Sequence, residues 1–418
     1  MQCSENGIVL GGSSYYTSDT VLARNFIFGT ATAGISATGF AFPELEISDN
    51  TISPVKGDGI VVGTGGVRMT DNRIANFTGE TQNGIRLVQG LIPIDLLPIV
   101  VRGNRFQGLR GNGLSIETLL VSALVEDNVF NAVEGNGIIM QPGSVAGSVK
   151  VLGNELINIA VAEGTTDKAT EIAAILLRGV FEGAISDNAI SSVGTNSPLA
   201  AVIAGIRVEN SLDVRVSDNS ITNIAPVAQF SNTAAGILVV GPIVNIEIAD
   251  NLIKRQITPN EDASAPWQAI RIAGIGASSS SGVFRAFDSH STLSRVSTVN
   301  AFAAAAVPAN EQAGITANSL HGYGRSALAE ILVTGSCRFT GNHCACTGEK
   351  MPAGAVVTAT TIIAAENRVQ CGRNTIGLDL KPANEKAFTV LGNIVGGPIL
   401  INGVALDGPW QPLNIIGA

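Results

Sequence analysis

Apolar and polar residues alternate along the chain in short bursts that end on asparagine, most plainly at Ile246-Glu247-Ile248-Ala249-Asp250-Asn251, continued by Leu252 and Ile253. Two apolar positions two apart share one face of a strand, and the residue between them takes the other. Leu45 and Ile47 around Glu46, and Val214 and Val216 around Arg215, follow the same rule; Asp or Gly comes next, then Asn. The unit returns at Asn25, Asn50, Asn72, Asn104, Asn128, Asn154, Asn188, Asn219, Asn251, Asn318, Asn342, Asn367 and Asn393. An apolar residue stands two places later in nearly every case, as at Ile52, Ile74, Phe106, Phe130 and Ile190. Asparagine tolerates the left-handed turn conformation, and its amide can bond backbone groups of a stacked neighbour.

Successive asparagines lie 25, 22, 32, 24, 26, 34, 31 and 32 residues apart, then 67, then 24, 25 and 26. A period of this length marks a solenoid whose units pack only on their neighbours. A second strand opens on glycine or alanine, as at Gly34-Ile35, Gly59-Ile60, Gly84-Ile85, Gly113-Leu114, Gly137-Ile138, Ala174-Ile175, Gly205-Ile206, Gly236-Ile237, Ala269-Ile270 and Gly377-Leu378. The pattern therefore predicts an all-β fold, a right-handed parallel β-helix of about 14 coils, roughly 60 Å long at one strand spacing per coil. The same asparagine units resemble the pectate-lyase-like superfamily over nearly the whole chain. That resemblance implies the fold, and it leaves function open, because the superfamily includes lyases, hydrolases, epimerases, tailspikes, adhesins and inert scaffolds.

The repeat is expected to form one domain over residues 1–418, with a larger insertion at about 274–313. That insertion carries Phe284, Phe287, His290 and Phe302. Longer loops at about 158–171, 193–200, 223–235 and 254–267, and another at 90–98, would line the edges of the glycine-strand face. A groove floored by the middle coils follows, and function on a solenoid usually resides in such insertions.

Composition narrows the partners. With 45% hydrophobic and 14% charged residues the chain is more apolar than an average soluble protein, yet the apolar residues alternate and no membrane span is read. A net charge of −9 without basic runs argues against nucleic acid. No signal peptide is read at Met1–Leu10; Asn6-Gly7-Ile8-Val9-Leu10 already reads as a repeat strand, so an extracellular or cell-surface location is expected on other grounds, with the first coil covered by a further segment or another subunit. Among five cysteines, Cys346 and Cys371 each follow a repeat asparagine by four residues and should be neighbours, either as small core residues or as a disulfide. His343-Cys344-Ala345-Cys346 lacks the other half of a zinc site, and neither a metal nor a cofactor is expected.

Outward positions on the glycine strands supply the candidate chemistry. They include Glu117, Gln141, Arg178, Arg207, Glu209 and Arg271, with Trp267 at the groove wall as a stacking platform. Arg178 and Glu209 are expected to pair. Glu117 and Glu209 lie three coils apart, roughly 14 Å, too far for the two carboxylates of a glycosidase. The motifs expected of polygalacturonase-like members, N-T-D, adjacent Asp-Asp, G-H-G and R-I-K, do not occur. A lyase would need a base and a group neutralising a uronate, for which the arginines qualify only in part; Asp167, Glu171, Glu261 and Asp262 are the candidate acids on the walls. Other outward positions, Val61, Ile139, Leu176, Leu238, Val240 and Val356, are apolar and form a stripe for a covering domain or a second copy in a homo-oligomer.

Two functions follow. The first is a non-catalytic scaffold or binding module of a larger extracellular or phage-tail-like assembly, presenting a surface to polysaccharide or protein. The alternative is a polysaccharide lyase, or another carbohydrate-active enzyme, acting on acidic polysaccharide in the groove.

Overall fold

Each repeat closes one turn of a parallel coil with three strands, one more than the alternation shows. The computed structural model describes residues 6–11, 19–30, 32–38, 44–53, 55–63, 65–75, 82–89, 98–160, 171–195, 201–225, 233–255, 267–274, 311–323, 326–346, 351–372, 375–384, 387–406 and 412–416. A glycine-opened strand such as Asp58–Val62 leads to a second, Val67–Thr70, and the asparagine turn delivers a short third, Arg73–Ala75. Strands of each kind pair in parallel with those of the next coil: Asp58–Val62 with Ile85–Val88, Val67–Thr70 with Ile99–Arg102, and Arg73–Ala75 with Arg105–Leu109. This is the right-handed parallel β-helix that the periodicity predicts.

The described chain groups into two units, residues 1–206 with 219–234, and residues 207–218 with 235–418. In the first, third strands stack from Phe26–Ile27 through to Ser220–Ile224. In the second they stack from Leu252–Lys254 through to Ile415–Ile416. Most of the larger insertion, residues 275–310, lies outside the described residues, as do Phe284, Phe287, His290, Phe302, Asp167, Glu261, Asp262, Cys3 and Trp410.

The core is made of inward columns, one residue per strand. Ile248, Ile315 and Phe339 are in register on successive coils and fully buried, as are Ile60, Ile85 and Leu114 in the first unit. Phe106 and Phe130 stack with ring centroids 4.6 Å apart and planes within 9°. Each such side chain stabilises the fold by roughly 1.5–3 kcal/mol. Glycine opens the first strand because of crowding at the corner: a Cβ at Gly113 would collide with the Gly137 carbonyl oxygen and the Phe130 ring.

The asparagines form a column in each unit, Asn25 to Asn219 and Asn251 to Asn393, with Asn25 half-buried and the others buried, and the second gains Asn414. Asn72 shows the bonding. Its Oδ1 accepts from Asn50 N at 3.1 Å and Asn50 Nδ2 at 2.9 Å, while its Nδ2 donates to Ile47 O at 2.8 Å and Asn104 Oδ1 at 2.9 Å. The left-handed residue is not the asparagine but the one before it: Asp49, Asp71, Gly103, Asp127 and Gly153 have φ of 55°, 55°, 67°, 55° and 62°. Asp and Gly bear that conformation, and the asparagine keeps an ordinary backbone with its amide turned into the stack.

Candidate functional site

On the first unit's glycine-strand face, Val61, Arg86, Ser115, Ile139 and Leu176 stand in register on five coils. Arg86 reaches one coil onward and clasps Glu117 with both arms, Nε to Oε1 at 2.9 Å and Nη2 to Oε2 at 2.8 Å. It also lies 3.5 Å from Asp58 Oδ2. Ser115 Oγ donates to Glu117 Oε1 at 3.1 Å, and Gln141 Nε2 donates to Ser115 Oγ at 3.2 Å. Glu117 and Gln141, singled out from the sequence, are thus tied into one network by Asp58, Arg86 and Ser115. Arg86 takes the same alternating position one coil before Ser115, the signal that could have found it.

The bidentate hydrogen bond from Arg86 holds the Glu117 carboxyl below its ordinary range, against partial burial, and Arg86 is raised in turn. A depressed acid contributes stability above its unfolded pKa and loses it as pH falls through the folded value. Titrating the protein into that acid range is therefore expected to weaken it, and Glu117→Gln to flatten this part of the profile in urea melts at several pH values. The change is less than about 1 kcal/mol, because the pair is partly solvated.

Arg178 pairs with Glu171 at 2.6 Å within the first unit. In the second unit Arg207 pairs with Glu209, with side chains only 8% and 9% exposed. Burial of both charges is tolerable because each neutralises the other. Arg271 is half-buried and in register with Glu330, whose carboxylate accepts from Gln268.

Two expectations are corrected. Trp267 is no surface platform: it is fully buried, the largest such side chain among the described residues, with Gly322 so close to its ring that a Cβ there would collide with it. The Arg255 guanidinium stands 5.7 Å from the Trp267 ring centroid and 4.7 Å from that of Tyr323, and its Nη1 donates to Tyr323 O at 3.2 Å. Opening a strand places Trp267 at a coil corner, where its ring turns into the packed interior. The apolar stripe is not an exposed surface either. Ile139, Leu176 and Leu238 are 6%, 1% and 3% exposed, and Val61, Val240 and Val356 are half-buried.

A second polar column also escaped the asparagine period. Asn83 Nδ2 donates to Asp58 Oδ1 at 2.8 Å, Asn112 Nδ2 to Asn83 Oδ1 at 3.1 Å, Asn136 Nδ2 to Asn112 Oδ1 at 3.3 Å, and Ala173 N to Asn136 Oδ1 at 2.7 Å. Its signal is a polar residue just before the strand-opening glycine, as in Asn83-Gly84, Asn112-Gly113 and Asn136-Gly137.

Cys346 and Cys371 are neighbours as their spacing predicts, with free thiols 2.9 Å apart. The bond to Cys346 lowers Cys371 and raises Cys346, whereas burial pushes Cys337 up to about 12. A mild thiol oxidant such as diamide is expected to take two electrons and two protons from the pair and close a disulfide across coils. Closing a loop of this length should stabilise by about 3 kcal/mol, read as a raised melting midpoint that Cys371→Ser abolishes. Among the described residues no group of three or more His, Cys, Asp or Glu is placed to hold a metal ion, and no helix is long and apolar enough to cross a membrane.

The second unit carries a cavity of about 300 Å³ on the face of its asparagine-leading strands, lined by residues that include Glu247, Gly314 and Arg338.

The stacked coils give the chain the fold of a right-handed parallel β-helix. Residues 3–172 match the family described as "Right handed beta helix region". Among solved structures it is similar to the Dettilon tailspike protein (gp208), with 13% identity over 81% of this chain and 62% of that one and a TM-score of 0.38. It is also similar to the A-module of the Azotobacter vinelandii mannuronan C-5 epimerase AlgE6, with 11% identity over 93% of this chain and 90% of that one and a TM-score of 0.27. The chain thus spans 62% of the length of the tailspike chain. No curated protein sequence matches it.

Proposed function

We propose that the chain is a non-catalytic β-helix scaffold or binding module of a larger extracellular or phage-tail-like assembly. One observation carries this reading: on the glycine-strand faces, Glu117, Glu171 and Glu209 are each bound to an arginine, namely Arg86, Arg178 and Arg207. At Glu117 the Arg86 hydrogen bonds lower the pKa, which weakens it as a base and leaves it no proton to donate as a general acid, whereas a lyase or hydrolase needs one or the other. The arginines are occupied in the same pairs.

Polygalacturonate and alginate, incubated with the purified protein, are expected to release neither unsaturated nor reducing ends above a no-protein blank. Release that disappears in Glu117→Gln or Arg207→Ala, with the variant shown folded by circular dichroism, would overturn the scaffold reading in favour of an enzyme.

A further inference from the structure

From the cavity in the second unit we infer a binding site for a neutral, polyhydroxylated ligand, a saccharide unit with free neighbouring hydroxyls. The inference deepens the binding-module reading and rests on it for its context, but it is tested by binding without turnover.

Register builds the site. Glu247, Gly314, Arg338 and Ile363 stand at one level on four successive coils, and Gln312, Ser336 and Thr361 stand two residues earlier on the last three. Glu247 and Arg338 are two coils apart, roughly 10 Å at strand spacing. Gly314 lies between them and leaves a notch: a Cβ there would stand 3.5 Å from Arg338 Nη2 and 3.9 Å from Glu247 Cγ. The Arg338 guanidinium and the Glu247 side chain thus border the same gap from the coils on either side. Neither belongs to a hydrogen bond or ion pair with another described residue. This sets the notch apart from the glycine-strand faces, where Glu117, Glu171 and Glu209 each hold an arginine.

The chemistry of the gap selects the ligand. An anion attracted by Arg338 meets Glu247, and a cation attracted by Glu247 meets Arg338, so a unit charge gains little at the centre. A hydroxyl suits both groups at once, donating its proton to Glu247 and accepting from Arg338, and bonds to ionised partners are the stronger kind. Gln312, Ser336 and Thr361 border the notch with further donors and acceptors for a second hydroxyl. Ile363, 42% exposed at the end of the row, supplies an apolar surface for the C–H face of a sugar ring. The volume lies at the small end of ligand pockets, about 300–1,000 Å³.

Saturation-transfer NMR on the intact chain tests the site, with glucose, galactose, mannose and their neutral oligosaccharides as probes and oligogalacturonate as the acidic comparison. At least one neutral probe is expected to receive magnetisation on its ring protons. Glu247→Gln and Gly314→Val are each expected to weaken that binding by about tenfold or more, as loss of a charged hydrogen bond or of the notch requires. Both substitutions are compatible with the strand, since Glu247 makes no bond the fold uses and valine favours extended backbone. The proposal is overturned if no neutral probe binds, or if binding survives both substitutions. It is equally overturned if oligogalacturonate alone binds, is lost in Arg338→Gln and is strengthened in Glu247→Gln, which would mark an anion site. None of these outcomes depends on whether polysaccharide is cleaved.

Discussion

Replacing Asn128 by alanine is expected to lower the unfolding free energy by about 4 kcal/mol or more, among the largest single effects available in this chain. Asn128 is fully buried, and its amide does several jobs at once. Oδ1 accepts from Asn104 N at 2.9 Å and Asn104 Nδ2 at 3.0 Å, while Nδ2 donates to Val101 O, Glu126 O and Asn154 Oδ1, each at 2.9 Å. Alanine removes every one of these bonds: Asn104 N loses its side-chain acceptor, while Asn104 Nδ2, Glu126 O and Asn154 Oδ1 keep only their other partners, Met69 O with Arg102 O, Gly103 N and Asn128 N respectively. Each lost bond costs about 0.5–1.5 kcal/mol and a buried group left unsatisfied roughly 1–3 kcal/mol. The defect also cannot be repaired locally, because the coils on either side are held by their own ladder partners. Urea unfolding checks the expectation, with Asn131→Ala as the control. Asn131 lies three residues on, in the strand Val129–Val133 of the same coil, and accepts an exposed bond from Asn158 at 3.4 Å, so its loss should move the midpoint very little. Equal effects at the two positions would mean that the column is not what holds the coils together.

Trp267→Ala is expected to cost about 3–5 kcal/mol, the range for deleting a buried aromatic. The ring fills a coil corner against Gly322, and its face is one of two that the Arg255 guanidinium approaches. Removing it leaves a cavity and takes away half of that cation's aromatic surroundings. Denaturant unfolding reads the cost directly. Fluorescence of a Trp410→Phe variant, in which Trp267 is the one indole left, supplies an independent check: a buried indole should be poorly quenched by acrylamide, and adding soluble polysaccharide should leave its emission where it was. A wild-type-like midpoint, or a shift in that emission on adding polysaccharide, would restore Trp267 as a surface platform.

Much of the fold was legible because its determinants are local. Inward and outward positions alternate with a period of two, so Leu45 and Ile47, or Val214 and Val216, announce their burial in the sequence itself. The asparagines announce the coil because the turn they close needs a side chain that both donates and accepts. Their neighbours were misread for a related reason. Either residue of an Asp-Asn pair can adopt the left-handed conformation, and only the backbone shows that Asp49, Asp71 and Asp127 take it. The third strand was overlooked because a run as short as Thr51–Ile52 carries too few residues to show alternation.

The chemistry was less legible, since it depends on which residues become neighbours between coils. Arg86 meets Glu117 across 31 residues, and Glu247 meets Gly314 across 67 and a long insertion, so register and not sequence distance decides the pairing. Sequence by itself determined that this chain winds into stacked coils, with an amide column at one corner and an aliphatic core, because strand period and turn chemistry are written within a few residues. Only the tertiary structure decided that Trp267, Ile139, Leu176 and Leu238 are covered, that Glu117, Glu171 and Glu209 are paired with arginines, and that Glu247 and Arg338 border one glycine notch. Those outcomes depend on what stands one coil above and one coil below, and loop length sets that register with no local trace.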